Sequence, residues 1–249
     1  MPTADQKGMR RSLALCLLLC LSPAACLEME QTVSLGPDGS GRQVVKFSLR
    51  ESTLQEVQRA SQGAQLGAAT NPGALFDKEL VGRSLAEAGM TMSKHAAKRE
   101  AGRRAVDLEA TFPDFASLQK SPLCGSGAEW VLVRGPREGT AKLTLYPQGK
   151  AAWLDARAKA EAMAGEKDPV ADEFFRKRQQ SLTGMNVVVR FELPGEVLLW
   201  TRNLEKTGDR EVEARITAAK IQTPGDLVRW LAPRFEVIFD ATGCKLPLD

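Results

Sequence analysis

Three stretches of this chain place apolar residues at every second position on either side of a short turn, a period that only a strand with one buried face satisfies. In the first, Leu27, Met29, Val33 and Leu35 alternate with polar neighbours, GPDGSG at Gly36 to Gly41 turns the chain, and Val45, Phe47 and Leu49 resume the alternation. The second spans Met90 to Arg99 and Arg104 to Phe112 around Ala101-Gly102, with Val106, Leu108, Ala110 and Phe112 on its inner face. The third joins Trp130–Arg134 to Ala141–Tyr146 through GPREGT, and Pro147, which cannot donate to a ladder, ends it. A slip of one residue would turn each apolar set outward, so register is strongly specified.

Helical signals fall between these hairpins. Ser52 with Gln55 three residues on reads as a capping box. Asn71 as cap, Pro72 at the first position and Gly89 as stop predict a second helix with Phe76, Leu80 and Leu85 on its apolar stripe. Asp114 to Lys120 predicts a short helix, and Lys150 to Leu182 two helical pieces broken at Gly165–Pro169. Strands resume at Asn186–Leu193 and Glu196–Thr201, the latter expected to pair with Glu211–Thr217, before a helix around Leu227–Leu231 and a last strand at Phe235–Phe239. The expected fold is α+β: mainly antiparallel hairpins with helices packed on one side, forming one domain over 26–249 with a helical insertion at 150–183.

Residues 1–25 read as a signal peptide. Lys7, Arg10 and Arg11 precede nine unbroken apolar residues, Leu13 to Leu21, and small residues follow from Ser22 to Ala25. Nine residues fall well short of the roughly 20 a membrane-spanning helix requires. Cys26 then stands where a lipoprotein cysteine would, in the sequence Leu21-Ser22-Pro23-Ala24-Ala25-Cys26, with Pro23 in place of the usual Leu, Val or Ile. Lipidation at Cys26 predicts a membrane partner through an N-terminal lipid; cleavage after Ala24 instead would leave a secreted or periplasmic soluble protein. Leu27 in the next position resembles lipoproteins released to the outer membrane, on its periplasmic face. Removing the signal takes three basic residues and one acidic one from 34 and 31, leaving 31 against 30. That near-neutral surface speaks against a nucleic-acid partner.

Five cysteines are present, of which Cys16 and Cys20 leave with the signal. If Cys26 carries lipid, Cys124 and Cys244 remain as an even pair in an oxidising compartment, which predicts a disulfide between them.

No catalytic set emerges, and the expectation is that the protein is not an enzyme. His95 is the single histidine, which excludes two-histidine zinc motifs and leaves any triad dependent on it alone. Its neighbours Lys94, Lys98, Arg99, Arg103 and Arg104 would oppose protonating the ring, and these five cations are the candidate binding residues, for anionic head groups or acidic envelope polymers. Gly82-Arg83-Ser84-Leu85-Ala86 misses the nucleophile elbow by one residue and sits in a predicted helix. Phe174-Phe175-Arg176-Lys177-Arg178 combines aromatic and basic residues as a membrane-facing or lid element would, although such aromatics more often belong to a core. No metal site and no cofactor is expected.

A cysteine running straight into a strand, the Asp38–Gly41 turn, a helix stopped at Gly89, Phe112 with Phe115, and Leu193-Pro194-Gly195 ahead of the late strands together resemble the LppM-type bacterial lipoprotein domain. The resemblance implies an envelope lipoprotein with an α+β domain, and association with membrane lipids or glycolipids for some members; no binding residue carries over. Three functions stay open: a non-enzymatic lipid-anchored protein that binds a partner protein or envelope component, a carrier of a lipid or other hydrophobic ligand, and a secreted hydrolase. An apolar cavity of roughly 300 Å³ or more would favour the carrier, and a closed core with an exposed apolar patch the partner-binding protein.

Overall fold

The computed structural model describes residues 27–55, 72–125, 127–163, 172–173, 175–177, 179 and 182–248. Cys26 and the signal segment, Asn71, the break at Gly165–Pro169, and Phe174 and Arg178 lie outside the described residues.

The fold is α+β, as the hairpin pattern predicts. β1 (Glu28–Leu35) and β2 (Gly41–Arg50) pair antiparallel, and Val33, Leu35, Val45, Phe47 and Leu49 are all buried. Their turn closes through Asp38, whose carboxylate accepts from the Ser40 hydroxyl at 2.6 Å and the Ser40 amide at 3.0 Å. Gly41 admits no side chain, since a Cβ there would stand 2.0 Å from the Ser34 carbonyl oxygen. β3 (Thr91–Glu100) and β4 (Arg103–Phe112) form the second hairpin. Ala101 (φ 49) and Gly102 (φ 73) both adopt the left-handed conformation of a two-residue turn whose twist matches that of the strands. β5 (Glu129–Arg134) and β6 (Thr140–Tyr146) form the third.

The remaining strands are β7 (Asn186–Glu192), β8 (Val197–Trp200), β9 (Glu205–Gly208), β10 (Glu211–Thr217) and β11 (Phe235–Asp240). They distribute over two sheets. The larger runs β3-β4-β2-β1-β7-β10-β9 and the smaller β5-β6-β11-β8. Every pairing is antiparallel except β1 with β7, which are parallel from Glu28↔Asn186 to Ser34↔Glu192. The sheets share one core: the Phe191 ring of β7 meets Trp130 of β5 edge-on at 6.0 Å and Phe235 of β11 at 6.2 Å.

Two expectations need correction. β8 does not pair with Glu211–Thr217; that strand, β10, lies between β7 and β9, while β8 pairs with β11 in the smaller sheet. The switch occurs at Leu193-Pro194-Gly195, where Pro194 has no amide to donate and Gly195 lets the backbone pass so close to β11 that a Cβ would stand 1.7 Å from the Asp240 carbonyl oxygen. The second helix starts later than expected. Pro72–Phe76 is a 3-10 turn, and α1 (Lys78–Glu87) is capped by Asp77, whose carboxylate accepts from the Glu79 and Leu80 amides at 3.0 Å. Gly89, at φ 76, follows its end as predicted.

α2 (Phe115–Gln119) is capped by Asp114. α3 (Lys150–Met163) packs against α4 (Pro224–Leu231), which opens with a full capping box between Thr223 and Asp226.

Candidate functional site

Four of the five cations of the second hairpin, Lys98, Arg99, Arg103 and Arg104, sit at the turn end of β3 and β4, while Lys94 lies opposite Glu109 in the other half. Most of them have partners from elsewhere in the fold. Lys94 pairs with Asp107 across the hairpin, Arg99 with Glu51 at 2.6 Å, and Arg103 with Glu28 at 3.2 Å while also donating to the Ser48 hydroxyl at 2.9 Å. The Arg104 guanidinium lies 4.5 Å above the Phe76 ring. Lys98 is exposed and makes no ion pair among the described residues. Glu51, Ala97, Lys98, Arg99 and Arg104 line a cleft of about 290 Å³.

His95 has a structural task. Its Nε2 stands 3.0 Å from the Leu75 carbonyl oxygen, and a carbonyl only accepts, so Nε2 carries the proton. The bond ties the 3-10 turn before α1 to β3.

The two cysteines are free thiols, and the expected Cys124–Cys244 disulfide is absent. Cys124 belongs to a buried polar cluster. Its Sγ accepts from Gln31 Nε2 at 3.1 Å and from Gln43 Nε2 at 3.0 Å, while the Ser121 hydroxyl donates to Gln43 Oε1 at 2.6 Å. Burial pushes this thiol up to about 11, against the pull of those hydrogen bonds. Cys244 sits in the C-terminal tail, where partial burial and the nearby Asp240 carboxylate raise it too. The pairing fails because Cys124 is committed to two glutamine side chains inside the sheet and Cys244 to a surface turn.

The apolar surface lies elsewhere. Among the described residues, the exposed large hydrophobics are Leu154, Leu198, Leu199 and Trp200, and the last three are consecutive on β8. β8 is the edge strand of the smaller sheet. Leu199, 58 % exposed, stands beside Ile238, which pairs with Lys142, which pairs with Val133. These four share the sheet face that points away from Val197, Val237 and the core. Beyond one end of that face Trp153 of α3 packs on Tyr146 at 5.6 Å, with the Arg234 guanidinium 4.7 Å above its indole. Sequence reading placed β8 as a strand and passed over its surface. The available signal was Val197-Leu198-Leu199-Trp200 itself, four apolar residues with no alternation.

A second cleft, of about 430 Å³, opens at the sheet switch between Gly195, Glu196, Asp209, Arg210 and Asp240. Like the first it is lined by charged groups. No cluster of three His, Cys, Asp or Glu among the described residues could hold a metal ion, and none of the described helices is long and apolar enough to cross a membrane.

No protein-family profile matches the chain, and no curated protein matches it. A search of solved structures finds a weak likeness to the folded domain of LppM from Mycobacterium tuberculosis, determined by NMR, at 11% identity and a TM-score of 0.42, covering 87% of this chain and 91% of that one.

Proposed function

We propose that this is a non-enzymatic envelope lipoprotein, anchored by lipid at Cys26, whose domain binds a partner protein through the β8 edge. The observation that carries the reading is the run Leu198-Leu199-Trp200, exposed on an edge strand of a domain whose other large apolar side chains, Leu154 apart, are at least half-buried among the described residues. That edge is engaged at Val197, whose amide donates to the Asp209 carbonyl oxygen and whose carbonyl accepts from Lys206, and exposed apolar residues on the rest of it favour a partner that presents an apolar segment of its own. The carrier reading has less support, because the two clefts described above are lined by charged groups. A Ser–His or Cys–His hydrolase would have to take its base from His95, whose Nε2 already donates to the Leu75 carbonyl. The basic run, the apolar run and the small residues ahead of Cys26 support export and lipid attachment.

A photo-crosslinking residue in place of Leu199, in cells making the full chain, tests the docking surface. The expected result is a crosslink to a discrete protein of the membrane fraction, lost when Trp200→Glu is added. Crosslinking to lipid alone, or none, would overturn the partner reading. Palmitate labelling tests the anchor separately: Cys26→Ser should abolish it and release the protein from the membrane fraction, and unchanged labelling refutes lipidation.

A further inference from the structure

The two ends of the larger sheet differ in charge, and the cationic end is the one at which the chain enters from Cys26. The Leu27 carbonyl already accepts from the Asn186 amide at 2.8 Å, so the chain is bound into the sheet one residue after the proposed anchor. The ladder registers place Lys98, Ala105, Ser48, Glu28 and Asn186 in one row across β3, β4, β2, β1 and β7. At and beyond that row stand the cations Arg50, Lys98, Arg99, Arg103 and Arg104. Against these five, the described residues of the same end carry three acids: Glu28, Glu51 and Glu100. The opposite end reverses the balance. Arg42, Lys120, Arg210 and Lys245 there face five acids, Asp38, Asp114, Glu192, Asp209 and Glu211, a net of about one negative charge among the described residues.

We infer that the β3–β4 turn and the Arg50 end of β2 form a membrane-facing surface that docks on the anionic head groups of the bilayer holding the anchor. The inference rests on the lipid-anchored reading above and adds an orientation to it. β3 lies three strand spacings from β1, about 14 Å, and the two ends are some seven residues apart, about 23 Å. With no tether after Cys26, the hairpin end therefore stands near the head groups, while the acidic end points away from them. The polarity works without any net charge on the chain. Arg50 and Lys98 are exposed and make no ion pair among the described residues, Arg99 and Arg103 hold acids that a head-group phosphate can replace, and Arg104 lies over the Phe76 ring. A bilayer, flat and dense in phosphate, fits this row of cations spread across three strands better than a single acidic peptide does.

Lys98 is itself the probe. The full protein, purified from the membrane fraction, is reconstituted into phosphatidylcholine vesicles with or without about one third phosphatidylglycerol, and lysine acetylation is followed by mass spectrometry. Lys98 is expected to react roughly thirtyfold more slowly on the anionic vesicles, from about two net cations at the surface. Lys120, which follows α2 near the acidic end, should change by less than about twofold, and 0.5 M salt should remove the difference. The double variant Arg50→Glu/Arg99→Glu inverts the charge of the end and should restore fast Lys98 acetylation. Equal Lys98 rates on both vesicles, or equal slowing of Lys120, would overturn the orientation. Failure of the anchor looks different: the protein would not float with phosphatidylcholine vesicles at all, whereas flotation with an unprotected Lys98 keeps the anchor and rejects the surface.

Discussion

Alkylation of the native protein at pH 8 should separate Cys124 from Cys244 by rate. An ordinary thiol with a value of 9.0 is roughly 10 % ionised at pH 8, and one at about 11 roughly 0.1 %, so burial removes about a hundredfold of the reactive thiolate from Cys124. The more basic thiolate is the better nucleophile and recovers about tenfold of that. About tenfold of protection thus comes from ionisation alone. Access adds more, because Gln31 and Gln43 close over the sulfur and iodoacetamide reaches it only when the sheet opens locally. The Cys244 thiol in the tail is only partly buried, and its own value is raised as well, which narrows the ionisation gap. Mass spectrometry of the tryptic peptides during labelling is the assay, with Cys124 expected to react at least about tenfold more slowly than Cys244. In denaturant without reductant both should label completely and at similar rates. Native rates within tenfold of one another would refute the buried-thiol reasoning, and two thiols that label in denaturant only after reduction would restore the disulfide.

Glu213 is nearly buried, and it accepts from Arg190 at 2.6 Å and Arg215 at 2.9 Å. Burial pushes its carboxyl upward, but those hydrogen bonds outweigh it and hold the group below its usual 4.5. Its contribution is therefore full above pH 4.5 and lost as pH falls through the lower folded value; Glu213→Gln should cost about 1 kcal/mol at pH 7, because both arginines are partly exposed, and urea titrations should show the gap between the two proteins closing in acid. A gap that persists at pH 2 would count against the ion-pair account. Gly195→Ala drives a Cβ into the Asp240 carbonyl oxygen and should cost about 2–3 kcal/mol, with hydrogen exchange accelerated in β8 and β11 ahead of β1 and β2; uniform acceleration would argue against a local switch. His95→Ala should lose about 1 kcal/mol of stability by thermal denaturation, and a loss well under 0.3 kcal/mol would dismiss the Leu75 bond.

The three hairpins were legible because everything that makes them is local. Alternation and a turn rich in glycine lie within about twenty residues of one another, and Ala101-Gly102 marks its own turn. Strand partnership is not local. Glu211–Thr217 and Phe235–Asp240 are both apolar enough to receive β8, and the choice between them depends on how closely Gly195 lets the chain approach Asp240. The parallel β1–β7 pair is likewise invisible in sequence, since nothing near Glu28 announces Asn186. Cysteine parity fails for a related reason, because counting thiols does not reveal that Gln31 and Gln43 enclose one of them. The basic hairpin was found as a run of cations, but the acids that pair with it, Glu28 and Glu51, come from other parts of the chain. The β8 surface was missed because an unbroken apolar run also describes a strand buried on both faces.

The parallel pairing of β1 with β7 sets a clock for biogenesis. Ser34 and Glu192, which bond across that pair, are 158 residues apart, so at roughly 5–20 residues per second of chain elongation about 8–30 s pass between the emergence of the first strand and of its central neighbour. Throughout that interval β1 has only β2 to pair with, and the larger sheet is open at its middle. β2, β4 and β3 can join it well before then, but β1 stays an edge strand with one side unpaired, so the segment at Leu27 is more open to a membrane enzyme than it is in the finished sheet. Once residues 186–192 arrive, that access closes, because the backbone at Leu27 is drawn into the ladder.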